Sequence, residues 1–138
     1  MYKILLVSHS ELSKGLVGAT KMILGDADGV DHIILDDSGI ETFSKKLEEK
    51  VEILTKDNEG LLILADIFGG TPFNQSMMRS SQYENVRVIS GVNLPMVIEA
   101  IMNRSNNIDE AVENIISSTK ESIVPGVIQK EEELELNE

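Results

Sequence analysis

Leu61-Leu62-Ile63-Leu64-Ala65-Asp66-Ile67-Phe68-Gly69-Gly70-Thr71-Pro72-Phe73-Asn74 is the stretch on which the fold turns. Its first five residues are apolar without alternation, the pattern of a strand buried on both faces of a parallel sheet. Gly69-Gly70 followed by Thr71-Pro72 then reads as a turn into a helix. Thr71 offers a capping hydroxyl and Pro72 suits the first helical position. Asp66 stands at the junction between strand and turn.

Working outward, Ile4-Leu5-Leu6-Val7, Ile33-Ile34-Leu35 and Val86-Arg87-Val88-Ile89 are further runs of strand length. Between them lie segments with helical spacing: Leu12, Leu16, Ala19 and Ile23; Ile40, Phe43, Leu47, Val51 and Leu54; then Ile108, Ala111, Val112 and Ile115. Ser38 before Glu41 and Asn107 before Glu110 are spaced as capping pairs, and Gly25 and Gly60 read as helix exits. After the fourth strand run two helices are predicted, around residues 94–103 and 107–121, the second carrying the Ile108 pattern. Regular alternation of this kind predicts an α/β fold, a doubly wound and mainly parallel sheet with helices on both faces. Ser122-Ile123-Val124-Pro125-Gly126-Val127 is a candidate fifth strand, which its proline would confine to an edge. One domain over residues 1–128 is expected, with an acidic tail over 129–138 that reads as a solvated end.

Composition narrows the function. With 41% hydrophobic and 26% charged residues among 138, the chain can bury a real core. It has no cysteine, which removes thiolate nucleophiles and Cys-based metal sites. A net charge of −12 argues against nucleic-acid binding, which needs clustered Lys and Arg. No run approaches membrane-spanning length and no leader is evident, so a cytoplasmic protein is expected.

In open parallel sheets, reacting groups collect at the carboxyl ends of the strands, where the winding direction reverses. His9, in Val7-Ser8-His9-Ser10, follows strand one, and Asp66 follows strand three. Those strands are neighbours at the reversal, so the two side chains should meet. A carboxylate on one ring nitrogen would fix the imidazole tautomer and leave the other nitrogen as a nucleophile. The helix start at Gly69, Gly70 and Thr71 would offer an anion cradle, and phosphate is the usual occupant. Ser8, Ser10 and Asn93 are candidate site-lining residues. Taken singly, a surface histidine, a strand-end carboxylate and a glycine turn are ordinary features, and their convergence at one edge is what favours a site. His32, Asp36 and Asp37 read as structural. Methionines such as Met77, Met78 and Met102 read as core filler.

Val7-Ser8-His9, the run from Asp66 to Asn74, and Ser90-Gly91-Val92-Asn93-Leu94-Pro95-Met96 together resemble the mannose-family IIA components of the bacterial sugar phosphotransferase system. The order and spacing agree to about residue 128. The resemblance implies a homodimer that exchanges its last short strand. It also implies that His9 accepts phosphate from the carrier protein HPr and donates it to a IIB component, with Asp66 orienting the ring and Thr71 and neighbouring amides contacting the phosphoryl group. Association with the membrane IIC and IID subunits would be indirect, and no metal or organic cofactor is expected. Since the chain ends in the acidic tail, its IIB is expected to be a separate protein. Sugar choice would lie in the membrane subunits, so the sequence does not name the sugar.

Other readings compete. The phosphotransferase subunit serving dihydroxyacetone kinase has a similar amino-terminal domain, but the intact Gly69-Gly70-Thr71-Pro72 favours the sugar-transport branch. A receiver domain would need acidic Mg²⁺ ligands after strand one, where Ser8-His9-Ser10 stands instead. A P-loop would need Gly-Lys-Ser or Gly-Lys-Thr after a strand. A non-catalytic regulatory module of the same fold would not need both His9 and Asp66.

Overall fold

The apolar runs become one four-stranded parallel sheet in a computed structural model that describes residues 1–128. The acidic tail at 129–138 lies outside the described residues. In chain order the elements are β1 (Lys3–His9), α1 (Leu12–Leu24), β2 (Val30–Leu35), α2 (Ile40–Leu54), β3 (Leu61–Ala65), α3 (Thr71–Ser80), β4 (Val86–Ser90), α4 (Leu94–Met102) and α5 (Ile108–Glu121). The strand order is β2-β1-β3-β4, so β1 and β3 are neighbours where the winding reverses, as the alternation predicts.

Period-two side-chain placement divides the strands between two cores. Ile4, Leu6, Leu62 and Leu64 pack with α1, α4 and α5 through Val17, Val97, Ala100, Ala111 and Ile115. Leu5, Val7, Leu61 and Ile63 pack on the other face with Phe43, Leu47 and Val51 of α2. Every residue of β3 is buried, which explains its unbroken apolar run.

Helix α1 is rotated from its expected face. The core takes Ser13, Val17 and Thr20, while Leu12 and Ile23 point to solvent and Leu16 is partly buried. Burial of the two hydroxyls is tolerated because each finds a carbonyl: Thr20 Oγ1 donates to Leu16 O at 2.8 Å and Ser13 Oγ to Ile33 O at 3.3 Å.

Caps are corrected in the same way. Gly39, at φ 98°, is the N-cap of α2, and the Ser38 hydroxyl turns back to the Asp36 carboxylate at 2.6 Å. Gly70 is the N-cap of α3, which places Thr71 and Pro72 at the first two helical positions. Asn107 caps α5 as expected, accepting from the Asp109 and Glu110 N–H groups. Gly25 closes α1 in the left-handed region, whereas Gly60 follows a loop and leads into β3.

The candidate fifth strand does not form among the described residues. α5 continues to Glu121, and residues 123–128 carry no strand pairing. Met77, Met78 and Met102 are exposed rather than core filler. His32 sits in the middle of β2, opposite Leu6 of β1.

Candidate active site

Register carries the two key residues together. Val7 of β1 pairs with Ala65 of β3, so the chain just beyond each reaches the carboxyl edge at one level. There the Asp66 carboxylate bridges to His9 twice through one oxygen. Oδ2 accepts from the His9 backbone N–H at 2.8 Å and lies 2.7 Å from ring Nδ1. Its other oxygen accepts from the Ile67 N–H at 2.9 Å. The Asp66 side chain is only 9% exposed and that of His9 is 51% exposed. Burial pushes the Asp66 carboxyl up, but the hydrogen bonds from the His9 amide and ring, the charge of His9 and the Ile67 amide outweigh it. The net effect holds Asp66 below its ordinary value of 3.8. Asp66 is thus a carboxylate at neutral pH. It occupies Nδ1 and leaves Nε2 as the nitrogen with a free lone pair.

The backbone around His9 is pinned on the other side as well. Ser10 takes a left-handed conformation, φ 51°, and its N–H donates to Leu35 O at 2.7 Å. Ser8 is fully buried and so does not line the site. Its Oγ accepts from the Ser13 N–H at 2.8 Å and donates to the Ser10 carbonyl at 3.3 Å, tying both ends of the turn into α1. This role carries a sequence signal only in retrospect, a hydroxyl placed to satisfy an orphan helix donor.

The glycine turn meets the imidazole edge. A side-chain carbon on Gly70 would sit 3.0 Å from His9 Cε1 and 2.9 Å from Ile67 Cγ2, so the turn comes this near only because residue 70 has none. Gly69 supplies the left-handed φ of 80° that the turn needs. The Gly70 N–H is already directed to Ile67 O at 3.3 Å. Among the described residues the N–H groups of Gly69 and Thr71 and the Thr71 hydroxyl have no hydrogen-bond partner. The donors left for an anion at this helix start therefore include those of Gly69 and Thr71, with the Phe73 N–H of the first turn also unpaired among the described residues.

Asn74 was not singled out by sequence reasoning. Its Nδ2 donates to Gly69 O at 3.0 Å, holding the turn from one helical turn onward. Asn93, at the same edge, spends its side chain capping α4 through the Met96 N–H at 2.9 Å.

The chain matches the family described as "PTS system fructose IIA component" over residues 3–116. The chain belongs to that family of phosphotransferase-system IIA components. It is 29% identical over 123 residues to the "PTS system mannose-specific EIIAB component" of Escherichia coli (strain K12), covering 87% of the chain and 38% of that relative. The chain thus spans about two fifths of the length of the first curated relatives it matches. The "PTS system fructose-specific EIIA component" of Bacillus subtilis is 26% identical over 107 residues, covering 77% of the chain and 73% of the relative. Among solved structures, "phosphotransferase system component EIIA from Streptococcus agalactiae" superposes with a TM-score of 0.80 at 31% identity, covering 91% and 97% of the two chains. As a IIA-family member the chain has the α/β fold read from its sequence. His9, Asp66, Gly69, Gly70 and Thr71 converge at one corner of it, Ser10 shapes the backbone beside them, and His32 stands apart in β2.

Proposed function

We propose that this chain is a phosphoryl carrier of the sugar phosphotransferase system, taking phosphate from phospho-HPr on His9 Nε2 and passing it to a IIB component. The observation that carries this reading is the 2.7 Å contact of Asp66 with Nδ1 beside a half-exposed ring. With the proton held on Nδ1, the Nε2 lone pair attacks phosphorus as the P–N bond of the donor phosphohistidine breaks and the donor imidazole leaves. Asp66 stabilises the positive charge that develops on the His9 ring, and the free N–H groups of Gly69 and Thr71 and the Thr71 hydroxyl would donate to the phosphoryl oxygens. The second transfer reverses these steps toward IIB. On this reading the chain works in the cytoplasm and reaches the membrane IIC and IID subunits only through IIB.

The same reading includes a homodimer. β4 is the last strand of the sheet, and among the described residues nothing pairs along its outer edge. Beside it runs an apolar cleft of about 450 Å³ lined in part by Phe68, Phe73, Val88 and Ile116. Ile123, Val124 and Val127 expose apolar side chains in the segment that follows α5. Exchange of that segment between two copies would satisfy the edge and cover both apolar surfaces. Light scattering at working concentration is expected to give a dimer, and a monomer would contradict this part.

The carrier role is tested by incubating the protein with HPr, its upstream kinase and labelled phosphoenolpyruvate. Acid-labile, base-stable label is expected on the wild type and absent from His9→Ala. Label that persists in His9→Ala would overturn the assignment.

A further inference from the structure

Ser10 is held in a conformation that its own chemistry disfavours. At φ 51° it lies in the left-handed region, which a side chain makes costly. Its neighbours hold it there by both polar groups of its backbone. The N–H donates to Leu35 O of β2 at 2.7 Å, and the carbonyl accepts from the Ser8 hydroxyl at 3.3 Å. Ser8 itself is fully buried beneath the turn. Its Oγ also accepts from the Ser13 N–H at 2.8 Å, which gives α1 the capping acceptor that its N-cap residue, Glu11, does not supply. One hydroxyl thus joins the end of β1, the turn and the first turn of α1.

His9 lies between these anchors. Val7 before it and Val17 of α1 beyond it are both fixed in the core. A relaxation of Ser10 toward an ordinary conformation must therefore be taken up in the backbone of His9. That backbone sets the ring, because the His9 N–H and Nδ1 both meet the same oxygen of Asp66, at 2.8 and 2.7 Å. A small tilt lengthens the Nδ1 contact, and a ring that is half exposed has little else to keep it from turning over. Geometry of this kind decides rate more than binding.

We infer that Ser8 is a positioning residue for transfer at His9: its buried hydroxyl holds Ser10 left-handed, so that Nδ1 stays on Asp66 and Nε2 stays free. A hydroxyl that served only to cap α1 would act on stability alone. The inference rests on the carrier reading for its rate readout and on the fold alone for its spectroscopic one.

The test uses the full chain and two readouts: the rate of His9 labelling at saturating phospho-HPr, and the ¹⁵N shifts of the neutral His9 ring, which report its tautomer. Ser8→Ala should slow labelling on the order of tenfold with KM little changed, and move the ring away from the Nδ1-protonated form. Ser8→Thr, which keeps the hydroxyl, should restore both. Adding Ser10→Gly to Ser8→Ala should also restore much of both, because glycine enters the left-handed region without a side-chain penalty. Thr20→Ala is the control, since it removes another buried hydroxyl of α1, bonded to Leu16 O at 2.8 Å, and should leave the tautomer alone. If Ser8→Ala does not fold, Ser8→Cys keeps a side chain there with weaker bonds and should move both readouts the same way. Labelling within about twofold of wild type with unchanged ring shifts would overturn the inference. So would a failure of Ser10→Gly to restore either readout, or a tautomer change of equal size in Thr20→Ala. A wild type that takes no label would overturn the carrier reading, while the ring shifts would still decide the role of Ser8.

Discussion

The two ends of the sheet are built on opposite principles. At the amino end, charges are closed on one another. Lys3 meets Asp57 at 2.6 Å, the terminal ammonium lies 3.6 Å from Glu59, Arg87 meets Asp109 at 2.7 Å, and Arg104 bonds the Asp28 carbonyl. At the carboxyl end, among the described residues, the ion-pair geometry is that of His9 with Asp66, and around it donors and apolar side chains are left open. At one end the charges named meet partners within the chain. The other is arranged to be completed by something else, and this is where a reacting histidine can be held still and yet remain reachable.

Breaking the single closed contact at the open end should have the largest effect. Asp66→Asn keeps the shape but no longer favours the Nδ1-protonated ring or its developing charge. Transfer to His9 should slow on the order of a hundredfold, read by rapid-quench labelling. Gly70→Ala should come next. The new side-chain carbon would press on His9 Cε1 and Ile67 Cγ2, costing about 1–3 kcal/mol in urea unfolding and slowing transfer on the order of tenfold.

The closed end should respond weakly. Lys3→Ala removes a solvent-screened pair whose side chains are about a third exposed, so stability in urea unfolding should fall only slightly while labelling of His9 is unchanged. If Lys3→Ala slows transfer, the two ends are coupled and the contrast fails.

The depressed Asp66 carboxyl adds a pH signature. A group whose folded value lies below its unfolded one contributes stability above the unfolded value and loses it as pH falls through the folded one. The stability gap between wild type and Asp66→Asn should therefore hold steady from neutrality down to near pH 4, around the ordinary value of 3.8, and close below it. A gap that does not change with acid would remove the charge from the account.

Much of the carboxyl end was legible in the sequence because register is a topological consequence. Once Leu61–Ala65 is read as a doubly buried strand beside β1, His9 and Asp66 must emerge together. The rotation of α1 was not legible. Hydropathy places Leu12, Leu16, Ala19 and Ile23 inward, whereas small hydroxyls that bond to carbonyls fit the narrow space against the sheet, so Ser13 and Thr20 take the core. The short edge strand failed for a different reason. A strand is defined by its partner, and residues 123–128 find none among the described residues. Ser8 and Asn74 were unreadable as clamps because their roles depend on which backbone groups the turns leave unpaired, and only the folded turns reveal that.

The account turns on one nitrogen, and nuclear magnetic resonance of the phosphorylated protein labelled with ¹⁵N-histidine tests it most directly. It predicts phosphorus coupled to Nε2 of His9, with Nδ1 still protonated and bonded to Asp66. Phosphorus on Nδ1, or on any residue other than His9, would contradict it.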